Sequence, residues 1–409
     1  MFELTPYLLT ADVGGTNSRM CLYTLDSTVP LVVKYYRNED VLKEKLDGIF
    51  ERHVIDPFLQ YCWDTNQSLL PLQQVEIIAC LAIAGPVRNN SVFMSNLHNI
   101  VIDGHAIETQ LYCRHLAYVS RIKICKIIND FVAQGYGCLT LNPDEMRELT
   151  PGSLNMMDPQ GPKVCVGAGT GLGECFLAPD SKGRYTCFAS EGGHVEWAPR
   201  NELEIELWNY LRTKFSYRNR LSVERVVSGP GLANVYEFLA HKYPNKIDKQ
   251  VHQEFEKETD LKGKVVAVNA KEGSLCRQAM EIMMSAYGCE AGSAAIKFIP
   301  TGGLFVTGGL TPKNIQYIEG ENSPFMKAFK DKGRVAPILE YVPAFAVMTE
   351  DLGVRGAYKC AVMEYEAYSN QAHGTNSWSP SSNKSALLQV GIAAAAAGMA
   401  LGMTLQRKK

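Results

Sequence analysis

Residues 7–25 read Tyr7-Leu8-Leu9-Thr10-Ala11-Asp12-Val13-Gly14-Gly15-Thr16-Asn17-Ser18-Arg19-Met20-Cys21-Leu22-Tyr23-Thr24-Leu25: an apolar run, a glycine turn, a second apolar run. The same order returns at residues 163–177, where Lys163-Val164-Cys165-Val166 enters Gly167-Ala168-Gly169-Thr170-Gly171-Leu172-Gly173 and Glu174-Cys175-Phe176-Leu177 leaves. Short apolar runs joined by glycine turns predict hairpins. Glycines let a backbone approach a ligand closely, and the amides of such turns (Gly14, Gly15, Thr16, Asn17; Gly169, Thr170, Gly171) can converge on an anion. A strand rather than a helix follows the second turn, which excludes the dinucleotide fingerprint, and no Gly-Lys-Ser/Thr follows to make a Walker P-loop. Two similar hairpins, one early in each half, predict a duplicated fold with phosphate held between the halves. A plain Gly-Gly hairpin is the simpler account of the first turn alone, but the flanking Asp12 and Thr16-Asn17 weigh against it. Asp12 is of the right type to hold a hydrated Mg²⁺ beside the phosphates, because Mg²⁺ favours carboxylate plus water.

Between the hairpins lies Ile127-Ile128-Asn129-Asp130-Phe131. The run before it is strand-like, and the residues after it can start a helix. That places an amide and a carboxylate at a strand's C-terminal edge, where open α/β sheets bind ligands. A carboxylate there can accept a proton from a substrate hydroxyl. On those five residues alone, a helix N-cap accounts for Asn129-Asp130 equally simply.

The 409 residues predict two domains, and 46% hydrophobic with 21% charged residues is an ordinary globular balance. A net charge of −2 argues against a nucleic-acid surface. The twelve cysteines stand singly, many in apolar runs, with no zinc spacing. Reduced, buried thiols in an intracellular protein follow. No signal peptide precedes the first predicted strand.

Apolar residues at helical spacing over 41–54 predict a helix that Pro57 ends or kinks. Residues 75–83 predict an apolar strand closing on Ala84-Gly85-Pro86, and 92–96 a short strand whose Asn96 either reaches a polar ligand or belongs to a turn. Ser190-Glu191-Gly192-Gly193-His194-Val195-Glu196 sets a carboxylate and an imidazole around two glycines, able to hydrogen-bond vicinal hydroxyls with room for a sugar ring. Glu224 precedes a further turn and helix start, where a surface position is the bland account. Residues 242–264 are charged and predict a solvated excursion, 275–299 a long core helix, 339–348 a strand and 352–365 a helix. At Gly308-Gly309 a strand stops, and a glycine pair lets a flat purine lie against backbone.

Together these motifs resemble the bacterial-type, ATP-dependent glucokinases of the hexokinase/actin-like ATPase superfamily. The resemblance covers roughly residues 7–365 and rests on the ordered stretches 12–19, 84–86, 127–131, 167–173, 191–194, 224–232 and 306–310. It implies an α/β, two-domain actin-like ATPase (ribonuclease H-like) sugar kinase fold with a cleft between domains. The implied division is residues 1–128, completed by the helix 352–365, and residues 129–351. It further implies that the first two turns hold ATP phosphates with Mg²⁺ near Asp12, and that Gly308-Gly309 lies by adenosine. Asn129, Asp130, Glu191, His194 and Glu224 match the family's sugar ligands, and Asp130 its base. The implied reaction is phosphorylation of D-glucose at the 6-hydroxyl, the first step of glycolysis, by a cytoplasmic enzyme that is often a homodimer. The cysteine cluster of the related zinc-binding repressor/kinase group is missing, which favours the plain glucokinase branch. A kinase for mannose or an N-acetylhexosamine, or a non-catalytic sugar sensor of the same fold, are the alternatives. A sensor would carry a DNA-binding segment ahead of the first strand, and strand residues beginning near Tyr7 leave no room for one.

The resemblance stops before the tail. Residues 366–384 have linker composition, 385–406 carry no charge, and Arg407-Lys408-Lys409 ends the chain. A helix of ~20 residues spans ~30 Å, one hydrocarbon core, and Gly398 with Gly402 forms a close-packing pair. A tail anchor in an organelle membrane, facing the cytosol, is one expectation for 385–409; an Ala-rich helix docked on the protein or frayed is the other.

Overall fold

A computed structural model of the chain describes residues 5–15, 17–42, 47–94, 99–112, 114–216 and 219–373. Thr16, Asn96 and the whole tail from 374 lie outside them, so the expectations for those residues are not addressed by the structure. The first sheet is built from β1 (Tyr7–Val13), β2 (Asn17–Thr24), β3 (Val32–Arg37), β4 (Ile77–Ile83) and, after a small meander of β5 (Val87–Arg88), β6 (Ser91–Met94) and β7 (Ile100–Asp103), β8 (Ile122–Asn129). Its order is β3-β2-β1-β4-β8, with β1 antiparallel to β2 and parallel to β4. The second sheet uses β9 (Met146–Glu148), β10 (Lys163–Ala168), β11 (Leu172–Pro179), β12 (Tyr185–Ser190), β13 (Leu304–Thr307) and β14 (Ala344–Val347). Its order, β12-β11-β10-β13-β14-β9, repeats the first: two antiparallel pairings, then two parallel ones. The two glycine hairpins are β1–β2 and β10–β11, the equivalent pair of each sheet.

Central parallel strands are covered on both faces and therefore read as unbroken apolar runs. Ile77-Ile78-Ala79-Cys80-Leu81-Ala82-Ile83 is buried at every position, whereas the edge strand β3 has no buried residue. Each sheet has its own core. Leu9, Leu22, Phe50, Phe58 and Ile83 belong to the first, while Val166, Leu239, Phe255, Met283, Tyr287 and Val306 belong to the second.

The chain crosses from the first sheet to the second through the helix Asp130–Cys138, which begins where β8 ends and packs on β10, β11 and β12. The last helix, Leu352–His373, lies against it. A Cβ on Gly137 would meet the Leu352 carbonyl, and one on Gly356 the Ala133 carbonyl, so bare glycines permit backbone-to-backbone contact at this crossing.

Four local expectations are corrected. Residues 41–54 do not form one helix, since the short helix Asn38–Val41 stops at Leu42. Nor does Pro57 end the later one, because a π-helical segment Glu51–Ile55 runs into the helix Asp56–Thr65 and the irregular turn lies just ahead of Pro57. The charged stretch 242–264 is mostly exposed, as expected, but it is helical and docked rather than an excursion. It holds the helix Lys249–Lys257, capped by Asp248, with Phe255 fully buried, and starts the helix Lys262–Val268, with Val265 and Val266 buried. The strand expected over 339–348 shrinks to β14 behind a 3₁₀ segment, Gly333–Tyr341. The final helix runs past 365 to His373.

Candidate active site

The first turn is closed by the Gly14 amide donating to the Asn17 carbonyl (2.9 Å). Behind it, the fully buried Asn38 donates from Nδ2 to the Gly14 carbonyl (2.8 Å) and accepts from Ser18 Oγ (2.6 Å). Asp12 stands on β1 opposite Arg19, and a Cβ on Gly353 would lie 2.8 Å from its Oδ2. Its carboxyl is pushed up to about 6, first by burial and then by the charge of Asp130, with Arg19 opposing.

The second turn is built on a bare strip of sheet. Gly167 faces Gly173 in register, and a Cβ on either would run into the Phe131 ring. Phe131 is therefore seated on the hairpin itself, which fixes the residue before it, Asp130, relative to the turn. The Gly169 amide donates to the Gly171 carbonyl (2.8 Å), and the Gly229 amide donates to the Gly169 carbonyl (2.8 Å), tying the turn to the helix Gly229–Lys242. Glu224 reaches the same turn. Its Oε2 accepts from the Leu172 amide (2.9 Å) and lies where a Cβ on Gly171 would be only 2.5 Å away.

Asn129 is indeed an N-cap: Oδ1 accepts from the amides of Phe131 (2.9 Å) and Val132 (3.3 Å). Its Nδ2 donates to the carbonyl of Gly85 (3.1 Å), a residue held at φ +135°. An amide nitrogen carries two hydrogens, so one donor stays available. Asp130 Oδ1 accepts from the Phe131 amide (3.0 Å). Burial pushes its carboxyl up, backbone hydrogen bonds from Phe131 and its own amide oppose this, and the charge of Glu191 adds to it.

Opposite Asp130, His194 Nε2 lies 3.8 Å from Glu191 Oε2, and its Nδ1 lies 3.9 Å from Glu224 Oε1. Glu191 and His194 are more than half exposed, whereas Glu224 is about a quarter exposed (65%, 55% and 27% of the side chain). These three groups share one cleft of about 1000 Å³ with Gly15, Asn129, Asp130, Gly169, Thr170, Gly171, Gly308 and Gly309. Asp12, Gly14 and Asn17 are not among the residues that line it. Gly308 adopts φ +80°, and a Cβ there would strike the Ala168 carbonyl, so the third glycine turn is locked to the second.

The cleft also contains residues the motifs did not mark. Gln134 Oε1 accepts from Thr307 Oγ1 (3.0 Å) and lines the cleft one helical turn beyond Asp130, a spacing from which it could have been found. Phe93 carries no such signal, and Ser190 and Arg225, which lie inside quoted motifs, were given no role there.

Among the described residues, no group of three or more His, Cys, Asp or Glu side chains is placed to hold a metal ion. A cation here would rest on one carboxylate plus water and substrate oxygens. Asp12 suits that role, since its buried carboxyl beside Asp130 lacks full charge compensation.

The family model described as glucokinase matches residues 9–364. The chain belongs to the glucokinase family. It is 37% identical over 364 residues to the glucokinase of Synechocystis sp., covering 86% of this chain and 97% of that one. To the Helicobacter pylori (strain J99) glucokinase it is 32% identical over 358 residues, covering 87% and 95%. The fold matches the glucokinase of Balamuthia mandrillaris in complex with glucose (TM-score 0.67, 21% identity, 87% and 94% covered). It also matches a ROK family glucokinase from Streptomyces griseus in complex with glucose and AMPPNP (TM-score 0.55, 17% identity, 87% and 99% covered). The two-domain actin-like ATPase fold is thereby established, and the activity of this glucokinase-family chain is ATP-dependent phosphorylation of glucose.

Proposed function

We propose that Asp130 is the general base of this reaction and that the 6-hydroxyl of D-glucose is its target, the first step of glycolysis. The observation that carries this is the convergence of Asp130, Glu191, His194 and Glu224 with the second glycine turn in one cleft. Phosphoryl transfer needs positioning and charge neutralisation more than covalent chemistry. Asp130 takes the hydroxyl proton as the sugar oxygen bonds to the γ-phosphorus and the bond to the ADP oxygen breaks. Its raised carboxyl brings the base closer to working pH than a free aspartate. Asn129 contributes its spare amide hydrogen, and Glu191, His194 and Glu224 hold the remaining hydroxyls. Gly15 and the amides of Gly169, Thr170 and Gly171 face the phosphates, and the Gly308-Gly309 backbone faces adenosine. Mg²⁺ held through Asp12 and water would supply charge neutralisation at the phosphates.

We divide the chain into residues 1–128, completed by 352–365, and residues 129–351. The separate cores of the two sheets and the crossing at Asp130 support this. A homodimer and a cytosol-facing tail anchor over 385–409 remain part of the proposal. Among the described residues, no helix is long and apolar enough to cross a membrane, and the tail lies outside them. The deciding experiment is a coupled ADP-release assay over a sugar panel. Glucose should give the highest kcat/KM, and a preference for mannose or N-acetylglucosamine would overturn the substrate assignment.

A further inference from the structure

Two carboxyl groups that the reaction does not use lie buried behind the sugar-side loop. Glu174, on β11 opposite Ser190, is 4% exposed, and Glu290, on the helix Leu275–Phe298, is 7% exposed. Each has a buried Oε1 that no hydrogen bond satisfies. Glu174 Oε2 occupies the space a Cβ on Gly192 would need, so its carboxyl lies against the backbone of the turn Gly192–His194. The Glu290 side reaches a pocket of about 290 Å³ lined by Val195, Glu196, Val223 and Lys297, the reverse face of the stretch that carries His194 and Glu224.

The neighbouring groups leave the pair to itself. Lys297 Nζ lies 3.6 Å from Glu290 Oε1 and is half exposed, so its charge is partly spent on water. The Tyr287 hydroxyl is engaged with the carbonyls of Val166 (3.2 Å) and Thr307 (3.1 Å), and Cys165 Sγ with Thr307 Oγ1 (3.3 Å). His194 faces Glu191 and Glu224, Glu196 lies 3.8 Å from Arg220, and Lys332 donates to the Cys289 carbonyl (3.0 Å). Two adjacent buried carboxylates that are both charged repel each other and lose hydration; a shared proton turns two orphaned acceptors into a donor and an acceptor.

We propose that Glu174 and Glu290 share one proton and in that state hold the sugar-side turn Gly192–His194 from behind, making Glu174 a positioning residue for hexose binding. The proposal rests on the assignment of Glu191 and His194 to the sugar. Burial, then the charge of Glu290, pushes the Glu174 carboxyl up to about 8, with Lys297 opposing. Raising the pH through that value ionises Glu174 beside Glu290, and the repulsion is relieved by moving the turn.

The test is the glucose KM of the full chain from pH 6.5 to 9.5 at saturating Mg·ATP, alongside melting temperature at each pH. The wild type should show KM rising about threefold or more between pH 7 and 9, as one proton allows, with kcat changed less than about twofold. In Glu174→Gln, whose amide donates without titrating, KM and Tm should be flat over that range. In Glu290→Gln, which removes the charge that an ionised Glu174 would repel, the rise should be lost as well. The same alkaline limb in Glu174→Gln, or no limb in the wild type, overturns the proposal. If Glu174→Gln fails to fold, Glu290→Gln decides, and a wild-type alkaline rise retained there overturns the proposal. Absence of hexose phosphorylation at every pH would instead overturn the kinase assignment. The pair is then judged by Tm alone, which must fall as pH rises towards about 8 and level off above it in the wild type, and must not fall in Glu174→Gln.

Discussion

Gly171→Ala should weaken glucose binding without unfolding the protein. A methyl at this position would stand 2.5 Å from Glu224 Oε2, where ordinary contact begins at 3.4 Å, so the carboxylate must retreat by about 0.9 Å. The hydrogen bond it accepts from the Leu172 amide, 2.9 Å long, then stretches beyond hydrogen-bond range. A hydrogen bond to a charged group contributes about 1.5–3 kcal/mol. Glu224 is 27% exposed and can recover part of this from water, so the lower end applies. About 1.4 kcal/mol is tenfold in affinity, so glucose KM should rise roughly tenfold. The thermal midpoint should also fall by a few degrees, because the hydrogen bond lost is one the protein makes without sugar. The assay is initial-rate kinetics in glucose at saturating Mg·ATP, with a thermal scan of each variant. A second substitution, Glu224→Asp, shortens the acid and relieves the clash, so the double variant should bind glucose better than the sum of the two single effects predicts. A glucose KM within twofold of wild type, or strict additivity in the double variant, would refute the link between turn and sugar acid.

Further expectations follow from the same geometry. Gly173→Ala drives a methyl into the Phe131 ring; overpacking of about 1–3 kcal/mol should lower Tm, and displacement of Asp130 should lower kcat, with Phe131→Leu restoring part of both. Asp12 is raised from 3.8 to about 6 in the folded protein, so its contribution to stability is fully present below about 3.8 and is lost as pH rises through about 6. Activity should rise over the window in which that stability falls, because both Asp12 and Asp130 act ionised. Asp12→Asn should therefore raise Tm at pH 8 by removing a buried charge worth on the order of 3 kcal/mol, while abolishing Mg-dependent turnover. For the tail, carbonate extraction should leave the full chain in the membrane pellet and release a chain ending at residue 384; equal release of both contradicts an anchor.

The duplicated architecture was legible because its signal is chemical as well as periodic. Gly167 and Gly173 must be glycines for Phe131 to lie on the sheet, so the hairpin that defines the second half also advertises its site. Asn129-Asp130 was legible only in context, since Asn129 does cap the helix and the five residues cannot distinguish a cap from a site. Other features left no trace. Asn38 steadies the first turn from 24 residues away through two hydrogen bonds, and no spacing rule connects it to Gly14. Residues 242–264 misled because many of their residues are charged, which hides the contribution of Phe255, whose burial depends on tertiary partners such as Tyr236. The Glu174–Glu290 pair was likewise invisible, since only folding brings a strand acid and a helix acid together.

The central claim is that Asp130 removes the proton from the attacking hydroxyl. Asp130→Asn keeps an oxygen that can accept from the Phe131 amide, now 3.0 Å from Oδ1, so the helix start and the cleft should survive. Loss of a positioned base costs about 10²–10⁴-fold. Measured as glucose 6-phosphate formation at saturating glucose and Mg·ATP, kcat should fall by that factor with glucose KM and Tm close to wild type. A kcat within a few-fold of wild type would contradict the account.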